Sequence, residues 1–82
     1  MTAPRATVTY GLDADAYLVA RAADRALEGA GCFVQVDKGE VWIWRRSQPV
    51  NGATQFEPGQ QLVVASDHTW RIEPVAVAAV AS

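Results

Sequence analysis

The 82-residue chain is half apolar and one-fifth charged, with a formal net charge of −2. This length allows one small domain, and the composition is too hydrophobic for a disordered chain. A single cysteine excludes an intrachain disulfide framework, and the slightly acidic balance gives polyanions no strong attraction. Because no apolar run is long enough for a signal peptide or a membrane span, we expect a soluble protein, cytoplasmic or virion-associated, that makes no membrane contact.

Both ends of the chain have the character of extended segments. In residues 1–11 two threonines alternate with apolar residues, and this period of two predicts an extended N-terminal arm or an edge strand. Residues 75–82 are alanine and valine except for the final serine, which predicts an extended C-terminal tail. Such segments can pair within their own domain or add a strand to a neighbour. The candidate contact residues of the two arms are Val8, Tyr10, Val75 and Val77.

An amphipathic helix is predicted over residues 14–30. Asp13 is placed to cap its first turn, and Leu12 and Tyr17 occupy the two positions of a hydrophobic staple. Gly29 or Gly31 provides the left-handed residue that ends it. At 100° per residue the apolar face is almost all alanine, which allows close packing. That face consists of Ala16, Val19, Ala22, Ala23, Ala26, Leu27 and Ala30.

A first β-hairpin is predicted around Lys38-Gly39, between strands 32–37 and 40–46. A two-residue loop pairs Val36 with Val41 and Val34 with Ile43, which places these four side chains on one face. The opposite face carries Phe33, Gln35, Trp42 and Trp44. Both faces of this hairpin are therefore apolar.

A second hairpin is predicted around Asp67-His68, after a loop over residues 47–60. A two-residue loop places one group of side chains on one face: Val63, Ala65, Trp70 and Ile72. The opposite face is then Leu62, Val64, Arg71 and Glu73.

These elements predict an α+β fold in which one N-terminal amphipathic helix packs on a four-stranded antiparallel meander of two hairpins, with extended N- and C-terminal arms. The domain spans residues 12–74. One helix covers only one face of a sheet, so the aromatic side of the first hairpin needs a second cover. Either the second hairpin and the loop before it fold over that side, or another chain does.

Aromatic and arginine side chains provide the candidate contact site: Phe33, Trp42, Trp44, Arg46, Trp70 and Arg71. Tryptophans of this kind fill a core, anchor a protein–protein interface, or stack on single-stranded nucleic acid. The nucleic-acid interpretation is disfavoured because the chain is acidic and because Arg45 and Arg46 point to opposite faces of one strand.

The sequence gives no reason to expect an enzyme, a metal or a cofactor. His68 follows Asp67 in a turn, where both side chains are expected to face solvent. Cys32 lies near a helix C-terminus, where the helix dipole opposes a thiolate, so it is interpreted as a small apolar residue. Asp13 and Asp15 are explained by helix capping and lack further ligands at a calcium or zinc spacing.

The leading hypothesis is a non-catalytic structural or interaction subunit of a larger protein assembly, with a shell or virion accessory protein as an analogy. Its partner is a protein, in a homo- or hetero-oligomer. The alternative is a small module that binds single-stranded nucleic acid or a peptide through the tryptophan and arginine side chains. A third hypothesis, an antitoxin-like protein that occludes a partner's site, is not separated from the first by any residue pattern.

Overall fold

The computed structural model describes residues 4–47 and 52–75, which form one helix and six strands. The elements are β1 (Pro4–Thr9), α1 (Ala16–Ala26), β2 (Cys32–Asp37), β3 (Glu40–Arg45), β4 (Thr54–Phe56), β5 (Gln60–Ala65) and β6 (Trp70–Pro74). The strands make two antiparallel three-stranded sheets, the first in the order β1-β5-β6 and the second in the order β2-β3-β4. The α+β class is thus confirmed. The four-stranded meander is wrong, because the two hairpins lie in different sheets.

The first hairpin has the predicted register. Val36 pairs with Val41 and Val34 pairs with Ile43 across β2 and β3. Lys38 and Gly39 both have positive φ, 52° and 77°, as the two central residues of a type I′ turn require. This turn matches the twist of the flanking strands, so local chemistry fixes the register.

The second hairpin is shifted by one residue from the prediction. Val64 pairs with Trp70 and Leu62 with Ile72, so these four side chains share one face. The loop has three residues instead of two, and His68 takes a φ of 71° at its last position. A turn followed by one left-handed residue is a common three-residue hairpin loop. The shift moves Trp70 to the same side as Leu62 and Val64, since side chains alternate along a strand.

Helix α1 is shorter than predicted and begins later. Its N-cap is Asp15, not Asp13, and the Asp15 carboxylate accepts a hydrogen bond of 2.8 Å from the Tyr17 amide. The staple is also absent, since the side chains of Leu12 and Tyr17 are 79% and 70% exposed. At the other end the Arg5 side chain donates to the carbonyl oxygens of Ala26 and Glu28, where a cation is favourable.

The N-terminal segment was predicted as either an extended arm or an edge strand, and it forms the edge strand. β1 pairs with β5 of its own chain, with Val8 opposite Leu62. Tyr10 continues this ladder through its backbone and is 4% exposed. Tyr10 therefore belongs to the core, and Val8 is partly buried against it, so neither residue lies in a free arm. In the C-terminal segment the Val75 amide donates to the Gly59 carbonyl at 3.0 Å, and Val77 lies outside the described residues.

The core lies between the inner faces of the two sheets, with α1 against β1, β2 and β3. Its fully buried side chains include Leu27 of the helix, Val41 and Ile43 of β3, and Leu62 of β5. Phe56 of β4 joins them from a segment that the sequence assigns to a loop. Within the described residues no helix is long and apolar enough to cross a lipid bilayer.

Candidate functional site: an aromatic sheet face

The outer face of the second sheet carries most of the predicted site. Val41 and Ile43 are fully buried, and the residues that alternate with them, Trp42 and Trp44, point to the other side of β3 and are half-buried. Trp42 pairs with Gln35 on one side and with Gln55 on the other. We name this surface the aromatic face, and it consists of Phe33, Gln35, Asp37, Glu40, Trp42, Trp44, Arg46 and Gln55.

A ring stack fixes one end of the aromatic face. Phe33 and Trp44 are opposite each other in the register, with ring centroids 6.1 Å apart and planes within 7°. The Arg46 guanidinium lies 5.7 Å from the Phe33 centroid, within the range of a cation–π interaction. Stacking in this way restricts the side-chain freedom of all three residues. The rings therefore present a partly rigid platform, which lowers the entropic cost of binding.

Beside the stack is an open cavity of about 280 Å³. It is lined by Gln35, Asp37, Trp42, Trp44 and Ala53. Mostly apolar walls with a few polar groups are typical of a small binding site. The indole nitrogen of Trp44 is buried, and among the described residues it has no hydrogen-bond acceptor. A buried donor without an acceptor costs free energy, and the stack with Phe33 is a favourable contact of the same ring.

The aromatic face has charges of opposite sign at its two ends. Asp37 and Glu40 are a register pair beside the type I′ turn, and both are exposed. The Glu40 carboxylate accepts a hydrogen bond of 3.3 Å from the Gln55 amide, which places this charge beside Trp42. Arg46 lies at the far end, over Phe33. The face thus runs from an acidic end to a basic end, with aromatic rings between them.

Trp70 is not part of the aromatic face, contrary to the prediction. The register of β6 directs it toward the core, where it packs at the margin of the buried cluster. The Arg45 guanidinium covers its ring at 4.5 Å from the centroid. This contact was not predicted from sequence. The alternation along β3 places Arg45 on the side of Ile43, and only the packing of two sheets brings Trp70 to it.

Arg71 is also separate, on the outer side of the first sheet. Its guanidinium forms an ion pair of 3.1 Å with Glu73, whose carboxylate also accepts a bond of 2.9 Å from Gln61. The Gln61 amide first, and then Arg71, hold the pKa of Glu73 below its ordinary value. This is a solvated polar network within one sheet. The predicted set of six residues is therefore divided among three places.

The polar residues near the turns have structural contacts. The Thr69 hydroxyl and amide donate to the Asp67 carboxylate at 2.6 Å and 3.1 Å, which lowers the pKa of Asp67. A Cβ atom on Gly29 would lie 3.3 Å from the His68 ring, so this imidazole rests on the turn after α1. The Cys32 thiol donates weakly to the Ala30 carbonyl at 3.7 Å. Among the described residues, no group of three or more histidine, cysteine, aspartate or glutamate side chains could hold a metal ion.

No protein-family model, no curated protein and no solved structure matches this chain.

Proposed function

We propose that the chain is a non-catalytic interaction subunit that binds a protein partner through the aromatic face. The observation that supports this most directly is the placement of Phe33, Trp42 and Trp44 on the side of the second sheet that faces away from the core. Tryptophan and arginine are the residues that most often dominate the binding energy of protein interfaces. Here two tryptophans line one open cavity, and the Arg46 guanidinium lies over Phe33 of the same face.

The core is complete without these rings. Helix α1 and the first sheet cover the inner face of β3, where Val41 and Ile43 have no exposed area. Trp42 and Trp44 belong neither to the buried cluster nor to its margin, whereas Trp70 packs at that margin. The three rings of the aromatic face keep part of their apolar surface exposed, and a partner that removes this surface from water stabilises the complex by roughly 25 cal/mol for each Å².

Single-stranded nucleic acid is the less favoured ligand. A phosphate backbone would approach the carboxylates of Asp37 and Glu40 beside Trp42, and like charges repel. Arg46 is the only cation that contacts a ring of the aromatic face among the described residues. Nucleic-acid grooves normally offer a stripe of several cations.

In this proposal the chain acts in an assembly with a protein partner, as a homo- or hetero-oligomer. The suggestion of a shell or virion protein rests on analogy with the size of the chain. The cytoplasmic or virion-associated location rests on the same analogy. No contact of the described residues favours that kind of assembly over another.

Site-specific photocrosslinking tests the proposal. A photoreactive phenylalanine analogue replaces Gln35 in the aromatic face, and in a matched control it replaces Arg21 on the exposed surface of α1. After irradiation in the source cells, we expect a discrete protein adduct from position 35 and none from position 21. Trp42→Ala in the same chain removes the adduct, because it deletes the central ring of the face.

Two results would overturn the proposal. One is the absence of an adduct from position 35, or equal adducts from both positions. The other is quenching of tryptophan fluorescence by oligothymidylate at low salt that Trp42→Ala abolishes, which would favour nucleic acid instead.

A further inference from the structure

We infer that the aromatic face binds a proline-rich segment of the partner in an extended polyproline II conformation, with a basic side chain at the Asp37–Glu40 end. This inference rests on the proposed function and names the chemistry of its ligand. Three features of the aromatic face support it: the strand pairing on both sides of β3, the geometry of the rings and the distribution of charge.

The backbone under the two tryptophans of the aromatic face is not available to a ligand strand. β3 is the central strand of its sheet, and its partners β2 and β4 lie on both sides. A peptide that lies over β3 therefore cannot pair with its backbone and must be recognised by side chains, whereas strand addition would use the outer edge of β2 or β4. Polyproline II segments are recognised by side chains, since they have no internal hydrogen bonds and dock into grooves lined by aromatic rings.

The rings and amides fit such a ligand. Trp42 and Trp44 line the cavity on the same side of one strand, so they form adjacent walls. The exposed Gln35 lines it too, and among the described residues its side-chain amide makes no hydrogen bond. A polyproline II ligand needs donors for its carbonyl groups, and the Gln35 amide is one. Its prolines place compact apolar rings against the indoles at little entropic cost.

The charges of the aromatic face determine which ligand residue is favoured beside the prolines. Asp37 lines the cavity, and within the described part of the chain its carboxylate has no ion-pair partner, while Glu40 lies opposite it in the register. Arginine satisfies carboxylates with several donors at once, so a ligand arginine is favoured there. Arg46 at the other end repels a second cation. The ligand is therefore expected to be basic at one end only.

Fluorescence anisotropy with synthetic peptides tests this. The probes are labelled octaproline, octaproline with one arginine at either end, and octaproline with glutamate in its place. We expect the best arginine peptide to bind more tightly than octaproline, and the glutamate peptide to bind more weakly. Trp42→Ala weakens binding of every peptide more than tenfold, as expected for a central aromatic anchor.

A charge-specific pair of variants separates recognition from folding. Asp37→Asn with Glu40→Gln weakens the arginine peptide about three- to tenfold, as expected for two exposed charge contacts. The same double variant changes the affinity for octaproline by less than about twofold. Asp24→Asn on the exposed side of α1 is the matched control and changes neither affinity. Thermal unfolding of each variant confirms that it is folded before binding is measured.

The outcomes distinguish this inference from the proposed function. If position 35 crosslinks a protein partner while no peptide binds up to about 1 mM, a limit that corresponds to about 4 kcal/mol, the proline-rich ligand is overturned and the interaction subunit stands. Equal loss of octaproline and arginine-peptide binding in the charge variant would also overturn the assigned role of the acidic end. If neither crosslinking nor peptide binding occurs, both proposals fail.

Discussion

Phe56 provides the sharpest test of how the two sheets share one core. It is 1% exposed, belongs to a strand of only three residues, and meets the Tyr10 ring edge-on with centroids 5.4 Å apart. Truncation of a buried phenylalanine to alanine typically costs about 3–5 kcal/mol, which includes the cavity left behind. A domain of this size has a free energy of unfolding of about 4–12 kcal/mol. Phe56→Ala is therefore expected to remove a large part of the stability.

Urea unfolding followed by tryptophan fluorescence measures this change, and a thermal melt gives an independent value. A loss of about 3 kcal/mol corresponds to a fall in Tm of at least about 12 °C for a domain of this length. Phe56→Leu keeps most of the buried volume and should cost less than about 1.5 kcal/mol. The exposed neighbour Glu57→Ala should remain within about 0.5 kcal/mol of the native chain. A loss below about 1 kcal/mol for Phe56→Ala would refute the docking of β4 into the core.

Three further predictions concern turns, caps and charge. Lys38→Asn should raise the free energy of unfolding by about 0.5–1 kcal/mol in urea, because asparagine tolerates the positive φ of this turn position better than lysine. Arg5→Met should lower it by about 0.5–1.5 kcal/mol, with a matching loss of helical circular dichroism, since the carbonyl groups of Ala26, the last residue of α1, and of Glu28 just beyond it lose their cationic donor; an unchanged unfolding curve would contradict this. Thr69 lowers the pKa of Asp67 in the folded state, so the ionised Asp67 carboxylate stabilises the fold. This contribution is complete above the unfolded pKa of about 4 and is lost as the pH falls through the lower folded pKa. Asp67→Asn should thus be less stable than the native chain at pH 7, and the difference should shrink in acid; a constant difference across a pH titration would argue against it.

Part of the candidate site was predictable from alternation along single strands. Phe33, Trp42 and Trp44 share a face in any hairpin with a two-residue loop at Lys38-Gly39, and the register confirms that loop. Trp70 was assigned to the same site because it has the same chemistry. Nothing in its local sequence indicates that a one-residue shift directs it toward the core.

The second hairpin shows why a shift of this kind is hard to predict. Leu62 and Val63 point to opposite faces of β5, and both are apolar and buried, so the apolar pattern does not choose between loops of two and three residues. His68 adopts the left-handed conformation without being glycine, so the usual turn signal is missing. Packing of Leu62, Val64 and Ile72 against the second sheet decides the register.

The sequence by itself determined the α+β class, the type I′ hairpin and the common face of its aromatic residues, because each depends on contacts between residues close together in the chain. Only the tertiary structure decided the pairing of β1 with β5, the conversion of a loop into β4, and the direction in which Trp42 and Trp44 point relative to the core. Those features depend on which of two apolar faces meets the helix and the other sheet. Burial is a property of the whole packed chain, and it has no signal within a single strand whose two sides are equally apolar.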